Sequence, residues 1–152
     1  MKYSVEFRSH YTLVLIFSLL LTQTSAHTAD VTLASIAYLD RDEFRTDEGN
    51  ELRLIKLGHG CKLEARFFVS FENTLYSYIF KQSKLISGTE KTFRYHFDKD
   101  HEGSLLHVTD IYQHSSAQYN IDDVGVKKDF NRYKALFSNK NLKLCDDQLC
   151  NR

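Results

Sequence analysis

From Val31 onward, apolar and polar side chains alternate with a period of two. The pattern is clearest between Lys62 and Glu72. There Leu63, Ala65, Phe67, Val69 and Phe71 point one way, and Lys62, Glu64, Arg66, Ser70 and Glu72 the other. Such alternation predicts a half-buried antiparallel strand. Phe93, Tyr95 and Phe97 against Thr92, Arg94, His96 and Asp98 predict a second strand with a buried aromatic face. Residues 52–57, 75–86 and 105–112 are strand-like with mixed faces. Turn chemistry separates the runs at Gly58-His59-Gly60, Glu72-Asn73, Ser87-Gly88-Thr89 and residues 98–103. Residues 31–39 suit either a strand or a short helix. Towards the C-terminus the period changes. Val126, Phe130, Tyr133 and Phe137 recur at helical spacing among charged residues, with Asp122 or Asp123 as the cap and Asn139 as the stop. The expected fold class is α+β: a single antiparallel β-meander of five or six strands with a C-terminal amphipathic helix packed on it.

The alternation does not extend to the N-terminus. Lys2 and Arg8 precede an apolar run over residues 13–21, broken only by Ser18, and Thr24-Ser25-Ala26 supply small residues before His27. This is the pattern of a signal peptide over residues 1–26. The run is too short to span a bilayer, which takes about 20 apolar residues. The expectation is a periplasmic or secreted chain with one domain over residues 27–152, not retained on the membrane after cleavage. No Asn-x-Ser/Thr acceptor follows residue 26, which favours a bacterial periplasm.

Charge changes the picture by exclusion. The 20 basic and 20 acidic residues cancel, and removing Lys2, Arg8 and Glu6 with the leader leaves a net charge of −1. A nucleic-acid partner would favour a basic face, so it is not expected. Nine Tyr and eleven Phe are many for one small core, so some belong on the surface.

Three cysteines remain: Cys61, Cys145 and Cys150. An odd number in an oxidising compartment leaves one pair and one extra thiol. Cys145 could close a short loop with Cys150, or Cys61 could pair with one of them and pin the tail to the sheet. Chain entropy slightly favours the long link, about 4 kcal/mol against roughly 2–3.

Chemistry-bearing clusters are sparse. In the hairpin register that pairs Phe97 with Ser104, Arg94 lies opposite His107 and His96 lies diagonally from it, close enough for the two imidazoles to share copper or zinc. His27, as the mature N-terminus, resembles the copper-binding start of secreted copper oxygenases and periplasmic copper carriers. That resemblance rests on this one residue and implies a metal-ligand role for it. Asp98-Lys99-Asp100-His101-Glu102-Gly103 resembles the first half of a calcium loop, but Thr109 stands where the bidentate Glu belongs. A solvated turn explains it better. The acidic run of Asp40, Asp42, Glu43, Asp47 and Glu48 reads as a solvated loop. No nucleophile elbow, phosphate-cradling glycine loop, His-Glu-x-x-His or dinucleotide fingerprint is present.

The expected function is therefore non-enzymatic. The leading expectation is a small exported module that binds another protein, as an inhibitor or immunity protein acting on a hydrolase. Asp146, Asp147, Gln148 and Leu149, between Cys145 and Cys150, are the candidate contact residues. Their Cys-x4-Cys spacing resembles, by analogy alone, a loop with which some periplasmic lysozyme inhibitors plug the enzyme cleft. A metal-binding protein using His27 or the His96/His107 face is the first alternative, and a small-ligand carrier the second.

Overall fold

The computed structural model describes residues 30–146. The expected leader, His27, Asp147, Gln148, Leu149 and Cys150 lie outside that range. Strands β1 (Val31–Ala37), β2 (Asn50–Lys56), β3 (Cys61–Val69), β4 (Glu72–Lys81), β5 (Lys84–Phe97) and β6 (Val108–Gln118) form one antiparallel sheet in sequential order. Helices α1 (Val124–Lys134) and α2 (Asn139–Asp146) follow. The meander and its C-terminal helix are as expected, with six strands. Residues 31–39 resolve mostly as strand.

Two expected turns are misplaced. Ser87-Gly88-Thr89 lies inside β5, and the β4–β5 turn is Gln82-Ser83, both with positive φ (47° and 60°), between the paired Lys81 and Lys84. Left-handed turns of this kind match strand twist, but their usual marker is Asn-Gly or Asp-Gly. Glu72-Asn73 likewise begins β4, and the chain reverses at Ser70-Phe71 between the paired Val69 and Glu72. The Gly58-His59-Gly60 turn is where it was expected. Gly60 has φ +88°, and a Cβ there would collide with the Phe80 carbonyl oxygen, so only glycine fits.

One face of the sheet carries the core. Leu52, Leu54, Leu63, Ala65, Tyr78 and Phe80 are buried there under Phe130, Tyr133 and Phe137 from α1 and the segment after it. The Asp123 side chain caps α1 by accepting from the Val126 N–H, as expected. The single expected helix is two. The backbone leaves α1 after Lys134 and re-enters a helix at Asn139, which starts α2 and does not end α1. Leu142 and Cys145 turn α2 onto the core. There Cys145 is bonded to Cys61 at the start of β3. Lys56 donates its ammonium to the Cys145 carbonyl at 3.1 Å.

The long connection from β1 to β2 inserts Phe44 into this core. Buried Asn50 holds it: its Oδ1 accepts from the Leu39 N–H at 2.9 Å. Its Nδ2 donates to the carbonyls of Leu39 and Phe44, at 3.1 and 2.8 Å. An amide that replaces so many backbone partners is costly to remove. The acidic run stays solvated, with Arg45 bridging Asp40 and Asp42.

Four tyrosines cluster on this face. Burial pushes the Tyr133 hydroxyl up to about 12 from its ordinary 10.0. Burial also raises Tyr76 and Tyr78. Tyr119 is raised first by burial, then by its hydrogen bond to the Glu90 carboxylate. A hydroxyl whose folded pKa lies above its unfolded value contributes stability that is complete below pH 10. That contribution is lost as pH rises through the folded value. Titration followed by tyrosinate absorbance should therefore show fewer ionised tyrosines at about pH 11 in the folded protein than in urea. Unfolding should follow at higher pH. Coincident curves would contradict the burial of these rings.

Candidate interaction surface at the far end of the sheet

β5 is fourteen residues long, longer than the face the helices cover. Beyond the helices, the core-side positions change character. The row Val69, Glu72, Arg94, Tyr112 is followed by the pair His96 and Asp110. Here the molecule has an open cleft of about 590 Å³, lined chiefly by Phe71, Glu72, Arg94, His96, Tyr112 and the turn after β5. The Arg94 Nε lies 3.3 Å from a Glu72 carboxylate oxygen. The His96 and Tyr112 rings stack with centroids 4.5 Å apart. Phe71, at the tip of the β3–β4 turn, is 62% exposed and meets Phe97 edge-on at 6.4 Å.

The loop from Asp98 to His107 shapes the rim. Hydrogen bonds from the His101, Ser104 and His107 N–H groups to the carbonyls of Asp98, His101 and Ser104 make three successive tight turns. The last is the 3-10 turn Leu105–His107. The Asp98 N–H then donates to the His107 carbonyl at 2.9 Å, closing the loop. Asp100 has φ +69° and Gly103 φ +83°. A Cβ on Gly103 would press on the Phe71 ring at 3.3 Å, so glycine lets the loop lie against that ring.

This loop corrects the expected register. Phe97 pairs with Val108 and not with Ser104, and His96 pairs with Asp110. His107 ends the 3-10 turn, stacked on His101 at 3.9 Å, with its Nδ1 3.8 Å from the Asp98 carboxylate. His96 and His107 thus belong to separate ring stacks, because the connection holds more residues than a simple hairpin turn. Among the described residues no three His, Cys, Asp or Glu side chains converge at metal-binding spacing. The acidic turn at residues 98–103 is exposed, as a solvated turn should be.

The opposite face of the sheet bears no helix. Near the start of β3 it carries a charge ladder in which Glu64 contacts Arg53 at 2.8 Å and Lys62 at 3.0 Å. Towards the cleft it turns aromatic. Phe68, Phe93, Tyr95 and Phe97 occupy this face, joined by Ile111 from β6. The Arg66 guanidinium lies 5.5 Å from the Phe93 centroid. Buried Asn73 donates to the Tyr95 hydroxyl at 3.0 Å. The Phe93–Phe97 face, expected to be part of the core, is therefore only half-buried and faces away from the helices. A bulge at Ile86 lies between the Ile79–Ser87 and Phe80–Leu85 pairs, so Leu85 serves the core while the aromatics further along β5 do not.

β6 is an edge strand exposed along nearly all its length. It bulges at Thr109 and at His114, where two of its residues oppose one of β5. The Asp110 carboxylate accepts from the Ile111 N–H at 2.8 Å.

The disulfide takes the long link, Cys61 to Cys145, across 84 residues, which rules out the closed Cys145–Cys150 loop. Asp146 ends α2, exposed, at the opposite end of the sheet from the cleft. Asp147, Gln148 and Leu149 follow it outside the described residues. The cleft residues Phe71, Glu72, Arg94 and Tyr112 were not legible as a site, because nothing in the sequence marks the bulge at Thr109 that brings Tyr112 beside His96. Compared with protein-family models, curated sequences and solved structures, the chain matches none.

Proposed function

We propose that this chain is an exported protein-binding module that acts by docking on another protein, with a hydrolase as its target and inhibition or immunity as the result. The observation that carries the reading is the far end of the sheet. Aromatic and aliphatic side chains of β3 to β6 are left exposed or half-buried there, although the helix-side core is complete without them. Aromatic residues outside a core are the composition favoured at protein interfaces. The buried Cys61–Cys145 bond fits an oxidising compartment. No described helix is long and apolar enough to cross a membrane.

The test starts from protein made with its own leader and recovered from the export route. Intact mass should give a chain beginning at His27 and lighter than the reduced form by two hydrogens. Crosslinking in that compartment should then yield a stoichiometric complex with a hydrolase whose activity falls in the complex. An uncleaved leader, or full activity of every crosslinked enzyme, would refute the proposal. Asp146→Ala, at the end of the sheet opposite that surface, should leave the inhibition unchanged, and a loss of inhibition would move the contact to the end of α2.

A further inference from the structure

We propose that the cleft at the far end of the sheet is a socket for an arginine side chain presented by the protein partner. This rests on the docking reading above and adds where the contact is made and with what chemistry. The cleft is open, and its walls are rings: Phe71 on the turn side and the stacked Tyr112–His96 pair on the β5–β6 side. A planar cation lying on such rings is attracted by their π faces, and a guanidinium also stacks on them plane to plane with its aliphatic stem against apolar surface.

The charges lining the cleft select the sign. Glu72, Asp98, Asp100 and Glu102 oppose Arg94 and Lys99. Glu72 already holds Arg94, and Asp98 lies beside His107. Among the described residues Asp100 and Glu102 form no ion pair, so two carboxylates at the rim remain for an incoming cation. An anionic group would find Lys99 alone. Arginine fits better than lysine because its fork engages a carboxylate through two parallel hydrogen bonds while its plane rests on a ring. A protein side chain fits better than a free solute because the cleft is open and bordered by exposed apolar side chains that a partner surface would cover. Phe71 and Tyr112 form its walls, and Ile111 next to Tyr112 lies on the opposite face of the exposed edge strand.

The probe is N-acetyl-arginine amide, titrated into the disulfide-bonded mature chain and followed by amide chemical shifts. N-acetyl-citrulline amide, its neutral isostere, is the control. Arginine should shift the amides of Glu72, Arg94, His96 and Tyr112 saturably in the millimolar range, and citrulline should not. The double variant Asp100→Asn/Glu102→Gln changes only exposed loop residues and should weaken arginine binding about tenfold, the sum of two exposed charge contacts. Tyr112→Ala should weaken it as well. Equal shifts from arginine and citrulline, or an unchanged affinity in the double variant, would overturn the assignment. The two readings fail separately. A complex formed by a chain that ignores arginine would remove the socket alone. Arginine binding by a chain that forms no complex would remove the docking function.

Discussion

Replacing Cys61 and Cys145 together by alanine should lower the stability of the fold by about 4–5 kcal/mol. The bond closes a loop of 84 residues, so it restrains the chain from β3 to α2 in the unfolded state. It also ties α2 to the first residue of β3, next to the Lys56 contact with the Cys145 carbonyl. Urea unfolding at constant slope reads the loss directly. A loss below about 1 kcal/mol would mean that α2 holds its place by packing alone. Both sulfur-bearing residues are almost fully buried, so a reductant should act on the native protein only when denaturant is added.

Phe130→Ala should cost about 3–5 kcal/mol. The ring lies 5.8 Å from Tyr78 and 5.3 Å from Phe80, so its removal opens a cavity where α1 meets the sheet. Phe93→Ala, on the open face, should cost only about 1 kcal/mol, because that ring is half in water already. The contrast between the two variants is the informative quantity. Similar losses would mean that the open-face aromatics serve the fold as a second core and are not held in reserve for a partner.

How far the sequence could be read depended on where ordinary spacing applied. The alternation from Lys62 specified β3 as far as Val69, although it ran on through Phe71 in the turn, and the Val126, Phe130, Tyr133 spacing specified α1, with Phe137 just beyond it, because burial on one side leaves a regular period. The capping Asp123 and the Gly58–Gly60 turn were equally plain. Gln82-Ser83 was missed because the left-handed turn there is built without the glycine or asparagine that usually marks it. α2 was missed because a few residues after Lys134 break the helical phase before Leu142 and Cys145 restore it. The β5–β6 register failed because the Asp98–His107 loop consumes residues in three tight turns, and because β6 takes an extra residue at Thr109 and at His114. The extra residue at Thr109 shifts the strand after it by one position, which sets Tyr112 opposite Arg94 and beside His96, while the loop keeps His107 in the 3-10 turn. The cleft depends on that shift, which no residue pattern in the sequence marks.

The interruptions in β6 also bear on how this molecule survives at high concentration. A long outer strand with few charges is a template onto which another copy can stack without limit, strand upon strand, into a fibre. In β6 the two extra residues divide the outer backbone into stretches of about four residues, too short to hold a foreign strand in register. The Asp110 carboxylate occupies the Ile111 amide at the end of one of them. The chain can therefore keep sticky aromatic side chains in the open while denying its own copies a continuous hydrogen-bonding edge along β6. Deleting Thr109 or His114 to straighten that edge would remove a safeguard against self-assembly.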